Sequence, residues 1–196
     1  MSEPAAEHHD PVVAFESAKL GLWTFLATEV LLFGALFTAY IVFRLKYPDM
    51  FHAEHGKLNR VMGAVNTVVL ITSSLTVALG IDAIRKGKAR LLAICYGTTI
   101  LLGGVFLCVK YFEYAEKFHH GLFPGTNLFF SLYFVLTGVH GIHVLLGMGV
   151  LSYVFVLARR GRFSEGYYTP VEMSGLYWHF VDLVWIYLFP LLYLIG

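Results

Sequence analysis

Long apolar runs separated by short polar segments dominate the pattern of this chain. A membrane-spanning helix needs about 20 apolar residues, because each residue rises about 1.5 Å and the hydrocarbon core is about 30 Å thick. The pattern therefore predicts an all-α fold, a polytopic membrane bundle of five transmembrane helices. The predicted spans are about residues 20–44, 61–84, 91–113, 127–158 and 174–195.

The segment ahead of the first apolar run is polar and acidic. A signal peptide would carry a basic segment there, so we expect the first run to be retained as a helix. The domain prediction is a polar N-terminal tail over residues 1–19 and one five-helix transmembrane domain over residues 20–196.

Composition agrees with a membrane location. The chain is 58% hydrophobic and only 14% charged, whereas about a quarter of the residues of a soluble domain are charged. The formal net charge of +1 gives no support to a nucleic-acid partner, and we expect none.

The lysines and arginines between the spans predict the orientation in the membrane. Eight lie on the side of the N-terminus and five on the other side. The positive-inside rule then predicts a cytoplasmic N-terminus. The eight are Lys19, Arg85, Lys86, Lys88, Arg90, Arg159, Arg160 and Arg162, and the five are Arg44, Lys46, Lys57, Arg60 and Lys117.

Glu29 is the deepest acidic residue of the first predicted span. It follows the start of that span by nine residues, about 13 Å, which is close to the bilayer midplane. A carboxyl group at this depth must be protonated or paired with a group of another helix, and it is a functional-site hypothesis by default. The sequence shows no obvious partner for it.

Further ionisable groups lie in the later spans. His140 and His143 are three residues apart on one predicted helix face, where Gly138, Gly141 and Gly147 are expected to leave room for neighbouring backbones. Three other polar residues, Glu172, His179 and Asp182, fall on one stripe of the last span, and Lys110 can pair with Glu113 three residues later.

Two interpretations of these groups stay open on the residues alone. His140, His143 and His179 could ligate a metal or a haem, with carboxylates as partners. Alternatively, the groups form an interhelical polar network that fixes helix register, with a proton-handling role. The spacing favours the network, since the paired E-x-x-H motifs of di-iron bundles are absent from the sequence.

Four stretches carry a resemblance to a known family. They are WTFLATEVLLFGALFTAY, GAVNTVVLITSS, TGVHGIHVLLG and YWHFVDLVWIYLF, in the first, second, fourth and fifth predicted spans. In these stretches the chain resembles subunit III of the haem-copper respiratory oxidases, in its short five-helix form.

The resemblance implies a non-catalytic subunit of cytochrome c oxidase in a bacterial inner membrane. Such a subunit carries no catalytic residue, metal or redox cofactor, because the haems and copper lie in subunits I and II. It packs against subunit I, binds phospholipid and supports proton uptake in a complex that receives electrons from cytochrome c or a quinol. The complex can join a larger respiratory supercomplex.

The resemblance also implies roles for individual residues. Glu29 matches the intramembrane carboxylate of the family, which reacts with carbodiimides. The family's polar network corresponds to Glu113, His140, His143, Glu172, His179 and Asp182. Lys110 departs from the pattern, because the family usually has Gln there.

Several alternatives remain. Quinol-oxidase subunits III share the five-helix form but commonly lack the first-span glutamate, so Glu29 favours the cytochrome c branch. An accessory subunit of nitric oxide reductases shares the helix pattern. Outside the family, the intramembrane groups would suit a membrane metalloprotein or a proton-coupled transporter.

Overall fold

The computed structural model describes residues 11–195, with side-chain placement for residues 16, 17 and 19–195. Its described residues form six α-helices and a C-terminal π-helix, with no β-strand among them. The helices are α1 (Pro11–Lys46), α2 (Pro48–His55), α3 (Arg60–Arg85), α4 (Ala89–His119), α5 (Leu128–Arg159) and α6 (Thr169–Phe189), and the π-helix is Pro190–Leu194.

Five of these helices are long and apolar enough to cross a membrane. They coincide with the five predicted spans, so the all-α prediction with five spanning helices is confirmed. The order of the helices along the chain places the start of α1, the end of α3, the start of α4, the end of α5 and the start of α6 at one end of the bundle.

Helix α1 extends beyond its apolar span, which begins at Lys19, into the predicted polar tail. Helix α1 begins at Pro11, so residues 11–19 of the predicted polar tail are helical. Residues 1–10 of that tail lie outside the described residues.

Helix α2 occupies the segment that the sequence pattern assigned to a loop between the first two spans. It has only eight residues, too few for a helical period to stand out. Its Phe51 ring contacts Tyr40 of α1 and Phe129 of α5, with ring centroids 5.3 and 5.5 Å apart. Helix α2 therefore connects α1 with α5 at one end of the bundle.

The core of the bundle lies between α3, α4, α5 and α6. Trp178 and Trp185 of α6 are fully buried at its centre. Gly147 of α5 makes room for Trp178, because a Cβ atom built on Gly147 would lie 2.9 Å from the Trp178 ring.

The other two glycines of α5 that were predicted to leave room have more space around them. A Cβ atom on Gly141 would meet nothing within 4 Å, and one on Gly138 would meet only a tyrosine hydroxyl at 4.0 Å. The prediction of close approach is thus wrong for Gly141 and Gly138, which face away from that contact.

Helix α1 packs along a narrow seam beside this core. Its buried apolar residues are Leu26, Phe33 and Tyr40, which repeat every seven residues. Leu22, Leu36, Phe37 and Phe43 are half-buried against the core, whereas others such as Leu31, which is 73% exposed, face outward. A seven-residue repeat brings a fully buried residue to the same face about every two turns, so the fully buried part of α1 is narrow.

Candidate functional site

Glu29 has a partner in the structure. Its Oε2 atom lies 2.8 Å from Nε2 of His143 on α5, and both side chains are nearly buried. The sequence pattern showed no partner for Glu29 because the two residues are 114 positions apart. The pair joins α1 to the bundle within the membrane-spanning part of both helices.

The hydrogen bond of Nδ1, the second ring nitrogen of His143, indicates which nitrogen of the ring is protonated. Nδ1 is 2.8 Å from the backbone oxygen of Val139, and a carbonyl oxygen can only accept, so Nδ1 carries a proton. Nε2 then either accepts from a protonated Glu29 or, in a doubly protonated ring, donates to its carboxylate. Both forms share one proton across the contact and carry no net charge, which suits a position inside a membrane.

Aromatic side chains enclose the Glu29–His143 pair. The Phe33 ring meets the His143 ring edge-on, with centroids 5.1 Å apart. Tyr177 of α6 donates to the backbone oxygen of His143 at 3.3 Å. The pair therefore lies where α1, α5 and α6 meet.

His140 lies in different surroundings from His143. It is fully buried, stacks on Trp185 at 5.3 Å and meets Phe106 edge-on at 5.5 Å. Neither ring nitrogen has a hydrogen-bond partner among the described residues. Three residues of an α-helix turn about 300°, which leaves the two side chains about 60° apart. His140 contacts the rings of Phe106 and Trp185 in the core, and His143 contacts Glu29 of α1, so the two histidines share one broad face of α5 but have different neighbours.

The stripe predicted on the last span also divides between two places. His179 Nδ1 lies 2.5 Å from the Ser74 hydroxyl of α3, and the buried Asp182 lies close to the same hydroxyl. Glu172, at the start of α6, instead pairs with Arg85 at the end of α3. The stripe as a whole joins α6 to α3.

Lys110 and Glu113 form the ion pair that their spacing predicts, 2.9 Å apart and buried. Two tyrosines complete it. Glu113 Oε1 accepts from the hydroxyls of Tyr133 and Tyr193 at 2.9 and 2.6 Å, and Lys110 also donates to both. The cluster connects α4, α5 and the C-terminal π-helix.

Four aromatic rings surround the Lys110 ammonium group. Its nitrogen lies between 5.1 and 5.8 Å from the ring centroids of Tyr133, Tyr114, Trp185 and Tyr193, within the range of cation–π attraction. The sequence analysis did not predict the tyrosines of this cluster, because Tyr193 is 80 residues from Glu113. The sequence could have indicated only that further hydrogen-bond partners exist, because a buried charged pair requires them.

The histidines proposed as ligands do not converge. His143 contacts Glu29, His179 contacts Ser74, and His140 lies between aromatic rings. Within residues 11–195, no group of three or more His, Cys, Asp or Glu side chains is arranged to hold a metal ion.

An apolar cleft of about 460 Å³ opens between α1, α5 and α6. Phe25, one turn before Glu29, and Tyr177 line it together with Leu22, Leu146, Val150 and Tyr153. The cleft therefore adjoins the helices that carry the Glu29–His143 pair.

Comparison with known proteins adds a family relationship. Residues 2–196 match the family model described as cytochrome c oxidase subunit III. Cytochrome c oxidase subunit 3 of Thermostichus vulcanus is 38% identical over 177 residues, which cover 90% of this chain and 86% of that protein. The same subunit of Bacillus sp. (strain PS3) is 33% identical over 195 residues, covering 98% and 93%. Quinol oxidase subunit 3 of Bacillus spizizenii is 33% identical over 182 residues, covering 90% and 86%.

Proposed function

This chain belongs to the cytochrome c oxidase subunit III family, and we propose that it is subunit III of a terminal haem-copper oxidase in aerobic respiration. The observation that carries the proposal is the family match over residues 2–196, together with relatives that cover about nine-tenths of the chain. The five membrane-spanning helices agree with a multi-pass subunit of an inner-membrane complex.

The proposed role is to stabilise the complex rather than to carry electrons. We place the haems and copper in partner subunits I and II. The separate contacts of His140, His143 and His179 support this assignment, since each histidine is engaged in packing or hydrogen bonding between helices of the chain itself.

Glu29 is proposed as the functional carboxylate. Its contact with His143 shares a single proton in an uncharged pair, so the pair can hold a proton inside the membrane without leaving an isolated charge. We propose that it maintains the position of α1 and thereby supports proton uptake by subunit I. The remaining polar groups, Glu113, His140, Glu172, His179 and Asp182, fix the arrangement of α3 to α6.

The cleft between α1, α5 and α6 is the proposed site for phospholipid within the bundle. Its lining is almost entirely apolar, with Leu22, Leu146 and Val150 among the lining residues. A cavity of about 460 Å³ suits part of an acyl chain better than a charged solute.

A quinol-dependent oxidase is the second candidate, because quinol oxidase subunits 3 match this chain at 33% and 36% identity. The electron donor distinguishes the two. The presence of Glu29, which quinol-oxidase subunits III commonly lack, favours cytochrome c as the donor.

The test is purification of the tagged full-length chain from its native membrane. We expect haem-copper subunits I and II to co-purify, and reduced cytochrome c to drive oxygen uptake by the complex. Uptake driven only by a quinol would assign the chain to the quinol branch. Recovery of the chain alone or as a homo-oligomer would contradict the proposal and favour a transporter.

A further inference from the structure

A second groove lies on another side of the bundle, between α4 and α5. One part, of about 440 Å³, is lined by Ala93, Ile94, Gly97, Thr98, Leu101, Phe155 and Arg159. The adjoining part, of about 430 Å³, shares Ala93, Ile94 and Arg159 with it and extends to Arg90 and Gly161. The two parts form one groove that runs from the helix ends into the membrane-spanning segment.

Small residues of α4 create this groove. Ala93 and Gly97 are one turn apart on the face that meets α5. A Cβ atom on Gly97 would already lie 3.4 Å from the Phe155 ring, so a larger side chain there would enter the groove. The flanking Ile94 and Leu101 are 64% and 66% exposed, which gives the groove apolar walls open to the surrounding lipid.

Two arginines stand at the end of the groove. Arg90 is in the first turn of α4 and Arg159 is the last residue of α5. Neither forms an ion pair within the described part of the chain, whereas Asp82 and Glu172, at the same end of the bundle, pair with Lys86 and Arg85. The Arg159 guanidinium lies 5.9 Å from the Phe155 ring centroid, which keeps its charge over the groove.

The length of the groove matches one leaflet. Leu101 follows Arg90 by eleven residues, which is about 16 Å along a helix. Half of a hydrocarbon core is about 15 Å. A molecule whose anionic group meets the two arginines would therefore extend an apolar chain to about the bilayer midplane.

We propose that this groove binds one anionic phospholipid, with its phosphate on Arg90 and Arg159 and an acyl chain along Gly97 and Phe155. Guanidinium groups bind phosphate through paired, charge-assisted hydrogen bonds. The first turn of α4 adds backbone N–H groups that have no acceptor within the helix. The site is distinct from the cleft between α1, α5 and α6, and the inference does not depend on the proposed oxidase role.

The test uses the full-length chain, purified with the subunits that accompany it and stripped of lipid in detergent. Native mass spectrometry then counts bound phosphatidylglycerol or phosphatidylcholine during a titration. We expect the Arg90→Gln/Arg159→Gln variant to need about tenfold more phosphatidylglycerol to fill one site, with phosphatidylcholine binding unchanged. The Arg160→Gln/Arg162→Gln variant removes the same charge outside the groove and should bind as the unchanged chain does.

A second variant tests the groove itself. Gly97→Leu places a side chain in the path of the acyl chain and should abolish the same site while both arginines remain. If both arginine variants lose phosphatidylglycerol binding equally, general surface charge explains the effect and the proposal is overturned. Unchanged phosphatidylglycerol binding in the Arg90→Gln/Arg159→Gln variant or in the Gly97→Leu variant would also overturn it. The same holds if glycerophosphoglycerol, which has no acyl chains, competes as well as the lipid, or if a protein subunit covers the groove in place of lipid.

Discussion

The Glu29–His143 contact shows what a single hydrogen bond can do inside a membrane. A carboxyl group and an imidazole ring are each costly there when isolated. Placed 2.8 Å apart, they share one proton and form an uncharged unit. The same contact joins α1, whose buried seam is narrow, to α5.

Two substitutions of Glu29 separate its hydrogen bond from its acidity. Glu29→Gln keeps a donor for Nε2 of His143, so assembly should persist, carbodiimide labelling should vanish, and activity should decline only over many turnovers. Glu29→Leu removes the donor and should lower bundle stability by about 0.6 to 1.7 kcal/mol. Stability is measured by unfolding in mixed detergent. An immediate total loss of oxygen reduction in Glu29→Gln would contradict this account.

Lys110 and Glu113 give a second prediction for individual side chains. Glu113→Gln leaves a buried ammonium group without its anion, and loss of one partner of a buried pair costs about 3–5 kcal/mol. The double variant Lys110→Gln/Glu113→Gln removes both charges and should recover most of that stability. The free energies of unfolding of the unchanged chain, the Lys110→Gln variant, the Glu113→Gln variant and the double variant form a double-mutant cycle. Additive effects would show that the two residues do not act as a pair.

Sequence reasoning identified individual polar residues better than their partners. It predicted the Lys110–Glu113 pair, since three residues of a helix bring two side chains to one face. It found no partner for Glu29, and it did not show that His140 and His143 have different neighbours. The contacts with His143, Ser74 and Tyr193 depend on how distant helices pack, and one sequence contains little direct information on that.

At the scale of helices, α5 and α6 pack closely where Gly147 meets Trp178. Gly147→Leu should destabilise the bundle, because its Cβ atom alone would lie 2.9 Å from the indole ring, and such overpacking costs about 1–3 kcal/mol. Gly141→Leu on the same helix is the matched control, with nothing within 4 Å of its Cβ position. Thermal unfolding of the purified chain should show a lower midpoint temperature for Gly147→Leu than for Gly141→Leu. Equal effects would mean that helix propensity, rather than contact, determines the loss.

Helix boundaries show where the hydrophobic pattern is informative and where it is not. The pattern predicted all five spanning helices, because a continuous apolar run has few other structures available inside a membrane. It also predicted where the first span begins, since the apolar span of α1 starts at Lys19, although the helix itself continues back to Pro11. It missed α2, whose burial of Phe51 and His55 depends on contacts with its neighbours.

The whole molecule combines a tightly packed four-helix core with a spanning helix at its side. The core is fixed by polar contacts between helices, including Ser74 with His179 and Trp185 with Thr67 at 3.0 Å. Helix α1 adds the Glu29–His143 pair and one wall of the apolar cleft. The polar side chains of the described residues thus mainly support contacts between helices of the chain itself.

The central claim, a non-redox subunit III that sustains a haem-copper oxidase, is tested most directly by removing the chain. Oxygen uptake would be followed over successive turnovers for the complete complex and for the same complex without this chain, at equal haem content. We expect similar initial rates, followed by a much faster loss of activity in the depleted complex, which the purified chain should reverse. Identical time courses would contradict the account, and so would complete absence of activity with intact haem and copper from the first turnover.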